Sequence, residues 1–274
     1  MGFKDNTSTL ILFSYLLFTS LFNTTLHAND LEVEDESSFS YVVGAPNGPQ
    51  NWGKLNPSWR LCGTGQSQSP INLLEDKVVV LPGSRGSFPT NYRPAPATIR
   101  NRGHDIRVKW RGNAGEIVLN GIEYKIDDCH WHIPSEHTVN GARFAMELHI
   151  VHRSHNGDIA VIAVLYEFGF PNGFLARLSP YLRSVSHVKE TEVGILNPWD
   201  INFRSTAYYR YDGSVTTPPC SETVTWTIIE KVETVSREQV NALQNAVHDG
   251  SVGNARPIQA LNGRTIFLYR PRIL

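Results

Sequence analysis

The sequence is poor in cysteine, in methionine and in net charge. Three cysteines in 274 residues are too few for a disulfide scaffold. Lys and Arg total 25 against 26 Asp and Glu, and without a basic surplus or stripe a nucleic-acid partner is excluded. No long block of like charge occurs, and 41% of residues are hydrophobic, which argues against intrinsic disorder. No His-Glu-x-x-His occurs, so the usual zinc-protease reading fails. Linkers, repeats and low-complexity breaks are also missing after residue 40, which points to one domain over 41–274.

One long apolar run does exist. Residues 10–22 (LILFSYLLFTSLF) follow Lys4 and precede Leu26-His27-Ala28. The run is too short to span a bilayer comfortably and has the layout of a signal peptide over 1–28. The C-terminal RPRIL carries neither a retention signal nor a lipid-anchor tail. The expectation is therefore entry to the secretory route, an extracellular or apoplastic destination and no stable membrane anchor. Residues 29–40 read as a flexible acidic lead-in. Both Asn-x-Ser/Thr sequons, at Asn6 and Asn23, fall in the removed segment, so the mature chain is expected to lack N-glycan.

Secretion changes how the cysteines read. Cys62, Cys129 and Cys220 form an odd set, so one pair and one leftover thiol are expected. Cys129 alternates within a strand-like run, as a small buried hydrophobe does. Cys62 and Cys220 stand in Gly- or Pro-rich turns, which favours them as the pair.

Short apolar or alternating runs at 98–108, 116–119, 124–132, 145–152, 159–166, 224–229 and 265–269 predict a mainly β chain with a single large, mostly antiparallel sheet. The 159–166 run (IAVIAVLY) is apolar throughout, as a strand buried on both faces is. Ser236-Arg237-Glu238-Gln239 forms a capping box before Val240, Leu243 and Val247, and Leu175, Leu178 and Leu182 recur at helical spacing within 174–185. Both predict short peripheral packing helices.

His130-Trp131-His132 means little alone in a chain with ten histidines; its surroundings strengthen it. Asn140-Gly141 is a strong hairpin-turn signal between strand-like runs. Such a turn sets His132 opposite His149 and puts His130 diagonally across on the same face. Three neutral imidazoles with an open fourth position describe a catalytic zinc site. Glu147 and Asp128 each precede a histidine by two residues, so each points the same way and can accept that ligand's second N–H. Glu136 projects toward this face as well. His137, His152 and His155 read as structural or surface residues.

With these residues in view, the chain resembles an α-class carbonic anhydrase, most closely the secreted plant branch. The stretches that carry the resemblance are GPQNWGKL, QSQSPINL, NRGHDIRV, HWHIPSEHTVNGARFAMELHIVH, GSVTTPPCSE with VTW, and NARPIQAL. They run from Tyr41 to about Leu261. The resemblance implies one twisted, mostly antiparallel sheet and a Zn2+ ion on His130, His132 and His149. It implies reversible hydration of CO2 to bicarbonate and a proton through a zinc-bound hydroxide. Thr216 then hydrogen-bonds Glu136 and orients the nucleophile, Thr217 contacts bicarbonate, and His104 carries the proton away. Val151, Val161, Val215 and Trp226 form the apolar CO2 pocket. Glu147 and Asn254 support the metal ligands, and Cys62–Cys220 is the disulfide.

Four positions depart from the family pattern. Asp128 replaces a glutamine, Val215 a leucine, and Arg102 with Arg107 stand where neutral groups are common. The competing expectation is a weakly active or inactive storage or binding protein, of the kind the yam dioscorins represent. Those tend to lose a zinc histidine, and retention of all three here argues against it.

Overall fold

The computed structural model describes residues 38–83, 89–185, 190–203, 205, 207–247 and 253–271. The expected 1–28 leader and most of the expected acidic lead-in lie outside these residues. The described residues all belong to a single compact unit, Leu31–Leu274. Among them no helix is long and apolar enough to cross a membrane.

Alternating and continuous apolar runs build a sheet of twelve strands. Its main path uses β1 (Val79–Gly83), β2 (Ala95–Asn101), β3 (Ile106–Trp110), β4 (Ile122–His132), β5 (Met146–Ser154), β6 (Ile159–Phe168), β7 (Glu190–Leu196), β8 (Tyr208–Ser214), β9 (Glu222–Ile229) and β10 (Phe267–Pro271). The spatial order is β7-β2-β3-β4-β5-β6-β9-β8-β10-β1, with Glu116–Leu119 added beside β4 and Glu233–Val235 beside β6. Along the main path pairing is antiparallel except at β6–β9 and β10–β1. β6 lies at the centre, with its first eight residues, 159–166, buried, so its continuous apolar run is what a strand covered on both faces requires.

Two helices, α1 (Gly173–Val185) and α2 (Arg237–Ala246), pack at the side of the sheet. Phe174, Leu175, Leu178 and Leu182 of α1 and Val240 and Leu243 of α2 join one large core with the sheet residues Ile99, Trp131, Leu148 and Ile162. The Ser236 hydroxyl accepts from Gln239 N–H while Gln239 reaches back to Ser236 N–H, so the capping box forms as its residues predict. The helix ends at Ala246; Gly250, the expected stop, lies outside the described residues.

The 98–108 run is two strands rather than one. Arg102, Gly103, His104 and Asp105 turn the chain between β2 and β3, with Gly103 at φ +92°, a conformation glycine adopts without steric cost. On the main path three strands, β1, β7 and β8, escape the pattern reading, because their apolar residues are interleaved with proline, charge or glycine. The 41–70 stretch, which reads as irregular loop, contains short helical turns at Trp52–Leu55 and Leu61–Thr64.

Candidate metal centre

β4 and β5 bring the three histidines together. Side chains alternate along a strand, so Asp128, His130 and His132 share one face of β4, and Glu147, His149 and Val151 share the facing side of β5. Asn140 and Gly141 both have positive φ, +49° and +81°, and the hairpin turn forms where expected, pairing Thr138 with Arg143 and Val139 with Ala142. The register above it differs from the expected one. His130, not His132, lies opposite His149, and His132 lies opposite Glu147.

The physical reason is a difference in length. Residues 133–137 separate His132 from the small hairpin on one side, and residues 144–146 separate it from Glu147 on the other. The first connection is longer by two residues. An even displacement leaves every side chain on its own face, so the convergence of the three rings survives the change. Ring centroids are 5.2 Å apart for His130–His132, 5.3 Å for His130–His149 and 4.5 Å for His132–His149. One ligand nitrogen from each ring lies within 4.8 Å of the other two.

Each ring has one nitrogen held by an acceptor. His130 Nδ1 donates to Asp128 Oδ1 at 3.2 Å, and His132 Nδ1 donates to the Asn254 carbonyl at 2.8 Å. His149 Nε2 donates to Glu147 Oε1 at 2.8 Å. A carboxylate or carbonyl only accepts, so the tautomer is fixed and the lone pair sits on the opposite nitrogen. Those nitrogens are Nε2 of His130, Nε2 of His132 and Nδ1 of His149. Burial, with His132 next in effect, pushes the His149 imidazole down to about 3, which keeps it neutral at physiological pH, as a metal ligand must be.

Asn254 does more than lend its carbonyl. Its side chain accepts from Ile133 N–H at 2.8 Å and donates to the Trp131 carbonyl at 2.9 Å, which pins the end of β4 from a segment far along the chain. Glu147 holds the other side. Its Oε1 also accepts from His137 Nδ1 at 2.7 Å, and its Oε2 accepts from the N–H groups of Glu136 and His137 at 2.8 and 2.7 Å. Burial alone raises a carboxyl pKa; here the neighbouring His137 charge and the hydrogen bonds from His137 and His149 outweigh it and hold Glu147 well below the usual range.

His137, read from sequence as structural, proves to be part of the support. Its Nε2 lies 2.7 Å from Tyr211 OH in a second hydrogen bond, and Tyr211 meets Ser69 Oγ at 2.7 Å. Ser69 N–H donates to Ser214 Oγ at 2.9 Å, and Ser214 Oγ donates to the Val215 carbonyl at 2.8 Å. A buried chain of polar groups thus runs from the histidine cluster to the Val215-Thr216-Thr217 loop. A Cβ at Gly213 would lie 2.2 Å from Ser69 Oγ, so glycine is required where the chain crosses. The only sequence signal for this chain was the position of His137 at the end of the long connection; Tyr211 and Ser69 lie too far away in sequence to be paired with it. His137, Glu147 and His149 also satisfy the geometry of a metal-holding group, but their contacts with one another are hydrogen bonds already made.

The disulfide joins Cys62 to Cys220, and Cys129 is a free, buried thiol. Val151, Val161, Val215 and Trp226 are all buried in one apolar cluster. Val161 pairs with Val151 on one side and with Trp226 on the other, and the Trp226 ring lies 4.8 Å from the His149 ring. An apolar wall therefore stands directly beside the three histidines.

Polar groups complete the site. Glu136 Oε1 accepts from Arg256 N–H at 2.8 Å. Glu136 Oε2, Thr217 Oγ1 and His132 Nε2 are buried without a hydrogen-bond partner among the described residues. Buried polar atoms are nearly always satisfied, so three such atoms mark a place built for something else to bind, and imidazole nitrogen among them suits a borderline-soft metal ion. The Thr216 hydroxyl is buried but does not reach Glu136 Oε2, so the Thr216–Glu136 bond implied by the family resemblance is not made at that oxygen. His104 is wholly buried, with its ring 5.3 Å from Phe39 and 6.2 Å from Tyr41. Arg102 is engaged by Asp105.

This fold and this cluster define a carbonic-anhydrase-type protein. Residues 47–270 match the model of the eukaryotic-type carbonic anhydrases, and the chain belongs to that family. It is 44% identical to alpha carbonic anhydrase 4 of Arabidopsis thaliana over 98% of this chain and all of that one. It is 45% identical to dioscorin DB3L of Dioscorea polystachya over 95% of this chain and 93% of that one. Among solved structures, a dioscorin complexed with ascorbate superposes with TM-score 0.83 at 42% identity, covering 86% of this chain and 99% of that one.

Proposed function

We propose that the chain is a secreted zinc enzyme catalysing the reversible hydration of CO2 to bicarbonate and a proton. The observation that carries this reading is the convergence of three imidazoles, each with its second nitrogen held by an acceptor, beside a buried apolar wall. A Zn2+ ion on His130, His132 and His149 would supply Lewis acidity for activating water near neutral pH, an effect for which carbonic anhydrases are themselves the standard illustration.

The chain's own residues do the rest. Asp128, the Asn254 carbonyl and Glu147 fix the ligand tautomers and orient the rings. Val151, Val161, Val215 and Trp226 receive a small apolar substrate that has no net dipole. Thr217 offers a hydroxyl to the anionic product, while Thr216 and Glu136 position the attacking water. His104 carries the proton, for which an imidazole suits a near-neutral solution. The Cys62–Cys220 bridge supports an oxidising compartment, in keeping with a leader over 1–28 and an extracellular or apoplastic destination.

One observation favours a second reading. His104 is packed under Phe39, and a proton carrier with no exposure exchanges slowly with solvent, which suits a weakly active binding or storage protein such as the dioscorins the chain resembles. Stopped-flow CO2 hydration on the purified protein, with zinc measured on the same sample, separates the two. Near-stoichiometric zinc with rapid hydration supports the enzyme; zinc-loaded protein without hydration above the buffer rate rejects it. His149→Ala should lose both zinc and activity.

A further inference from the structure

The turn between β2 and β3 carries a charge pair that the proposed chemistry does not use. Arg102 Nε donates to Asp105 Oδ1 at 2.7 Å and Arg102 Nη2 donates to Asp105 Oδ2, a two-point fork with both residues buried. The same residues close the turn through the backbone, Arg102 N–H to the Asp105 carbonyl at 3.0 Å. Asn101 completes the tether: its side chain accepts from Gly103 N–H and donates to the Ala246 carbonyl of α2, both at 2.7 Å. His104 therefore rides on a stiff turn, wedged against Phe39 and Tyr41.

His104 Nε2 lies 3.9 Å from Asp105 Oδ2. That is too long for a hydrogen bond and short enough for a strong charge interaction where water is excluded. One carboxylate thus faces two partners: a guanidinium that holds it by two hydrogen bonds, and an imidazole within reach of its charge. Burial by itself would raise the Asp105 pKa, but the Arg102 charge, then His104 and the Arg102 hydrogen bonds, hold it well below the usual carboxylate range. Around His104, Tyr41 approaches from the N-terminal segment, His130 on β4 acts on Asp105, and Gln244 of α2 and Asn254, which line the same cavity as His104, carry no charge.

We propose that Arg102 and Asp105 are positioning residues that set the proton affinity of His104, the guanidinium occupying a carboxylate that would otherwise bind the imidazolium. The proposal rests on reading His104 as the proton carrier only for its consequence in turnover. Its physical content is reciprocal. Without Arg102 an anion stands beside the ring and the ring keeps its proton to higher pH. Without the Asp105 charge a guanidinium stands there and the ring loses its proton at lower pH.

The test is an NMR titration of the His104 imidazole in zinc-loaded wild type, Arg102→Ala, Asp105→Asn and the double variant. Arg102→Ala should raise the His104 midpoint by about one unit or more, Asp105→Asn should lower it, and the double variant should return close to wild type. Arg102→Lys keeps the charge and should shift the midpoint by less than half as much as Arg102→Ala, which serves if the alanine variant does not fold. Single variants that move in the same direction, as a merely distorted turn would produce, or that do not move at all, overturn the proposal. The readout needs no turnover: reciprocal shifts in a protein that fails the hydration assay would remove the proton-carrier reading and leave the charge pair standing.

Discussion

Glu147 Oε1 accepts hydrogen bonds from His149 Nε2 at 2.8 Å and from His137 Nδ1 at 2.7 Å. One buried carboxylate oxygen thereby fixes the tautomer of a candidate metal ligand and ties it to the loop that carries Glu136. Glu147→Gln keeps the shape but replaces an acceptor-only group with an amide, so His149 no longer has a single favoured tautomer. Zinc affinity should fall 10- to 100-fold, measured by competition with a chromophoric chelator. Unchanged affinity would show that the tautomer is set elsewhere.

Val151 lies in the apolar wall beside the histidines. Val151→Phe fills the space a small apolar substrate needs without touching a ring nitrogen. Hydration should fall by tenfold or more while zinc content stays at the wild-type level. A stability loss of about 1–3 kcal/mol is expected from overpacking, so activity is to be compared well below the unfolding temperature. Full activity would place CO2 on another surface.

The Cys62–Cys220 bridge closes a loop of sequence separation 158. In the chain-entropy view a loop of this length stabilises by up to about 5 kcal/mol. The double variant Cys62→Ser/Cys220→Ser should lose that order of stability in urea unfolding, with the three-histidine cluster unaltered in zinc titration. Cys129, buried and unpaired, should react with a thiol reagent only after unfolding.

His152 is buried, meets Tyr92 OH through Nε2, and is pushed down from 6.5 to about 4 by burial, against the opposing hydrogen bond to the Ala160 carbonyl. Between those values the unfolded chain holds the extra proton, so stability rises with pH across this window and is lost on acidification from 6.5 toward 4. The contribution is about 2–3 kcal/mol between pH 7 and pH 4.5. Unfolding free energies from urea titrations at the two pH values should differ less in His152→Gln than in wild type by that amount. An equal pH dependence in the two proteins would show that His152 is not the group responsible.

Much of this protein was legible from local pattern. The 116–119 strand, the continuous run of β6, both helices and the Asn140-Gly141 turn all follow from periodicity and turn chemistry, because each depends on residues a few positions apart. The face shared by His130, His132 and His149 was legible for the same reason, since alternation places i and i+2 together. β8 was not, because Arg210, Asp212 and Gly213 mask the alternation of Tyr209 and Tyr211, which point into the apolar cluster.

The sequence by itself determined that His130, His132 and His149 share a face, since strand geometry has period two between bulges. Only the tertiary structure decided the register, because it depends on how two connections of unequal length close against each other. It also decided that a carbonyl at Asn254 holds His132, that Tyr211 and Ser69 complete the line from His137 to Val215, and that Phe39 covers His104. Those contacts join residues many strands apart, and nothing in local spacing limits which distant group arrives.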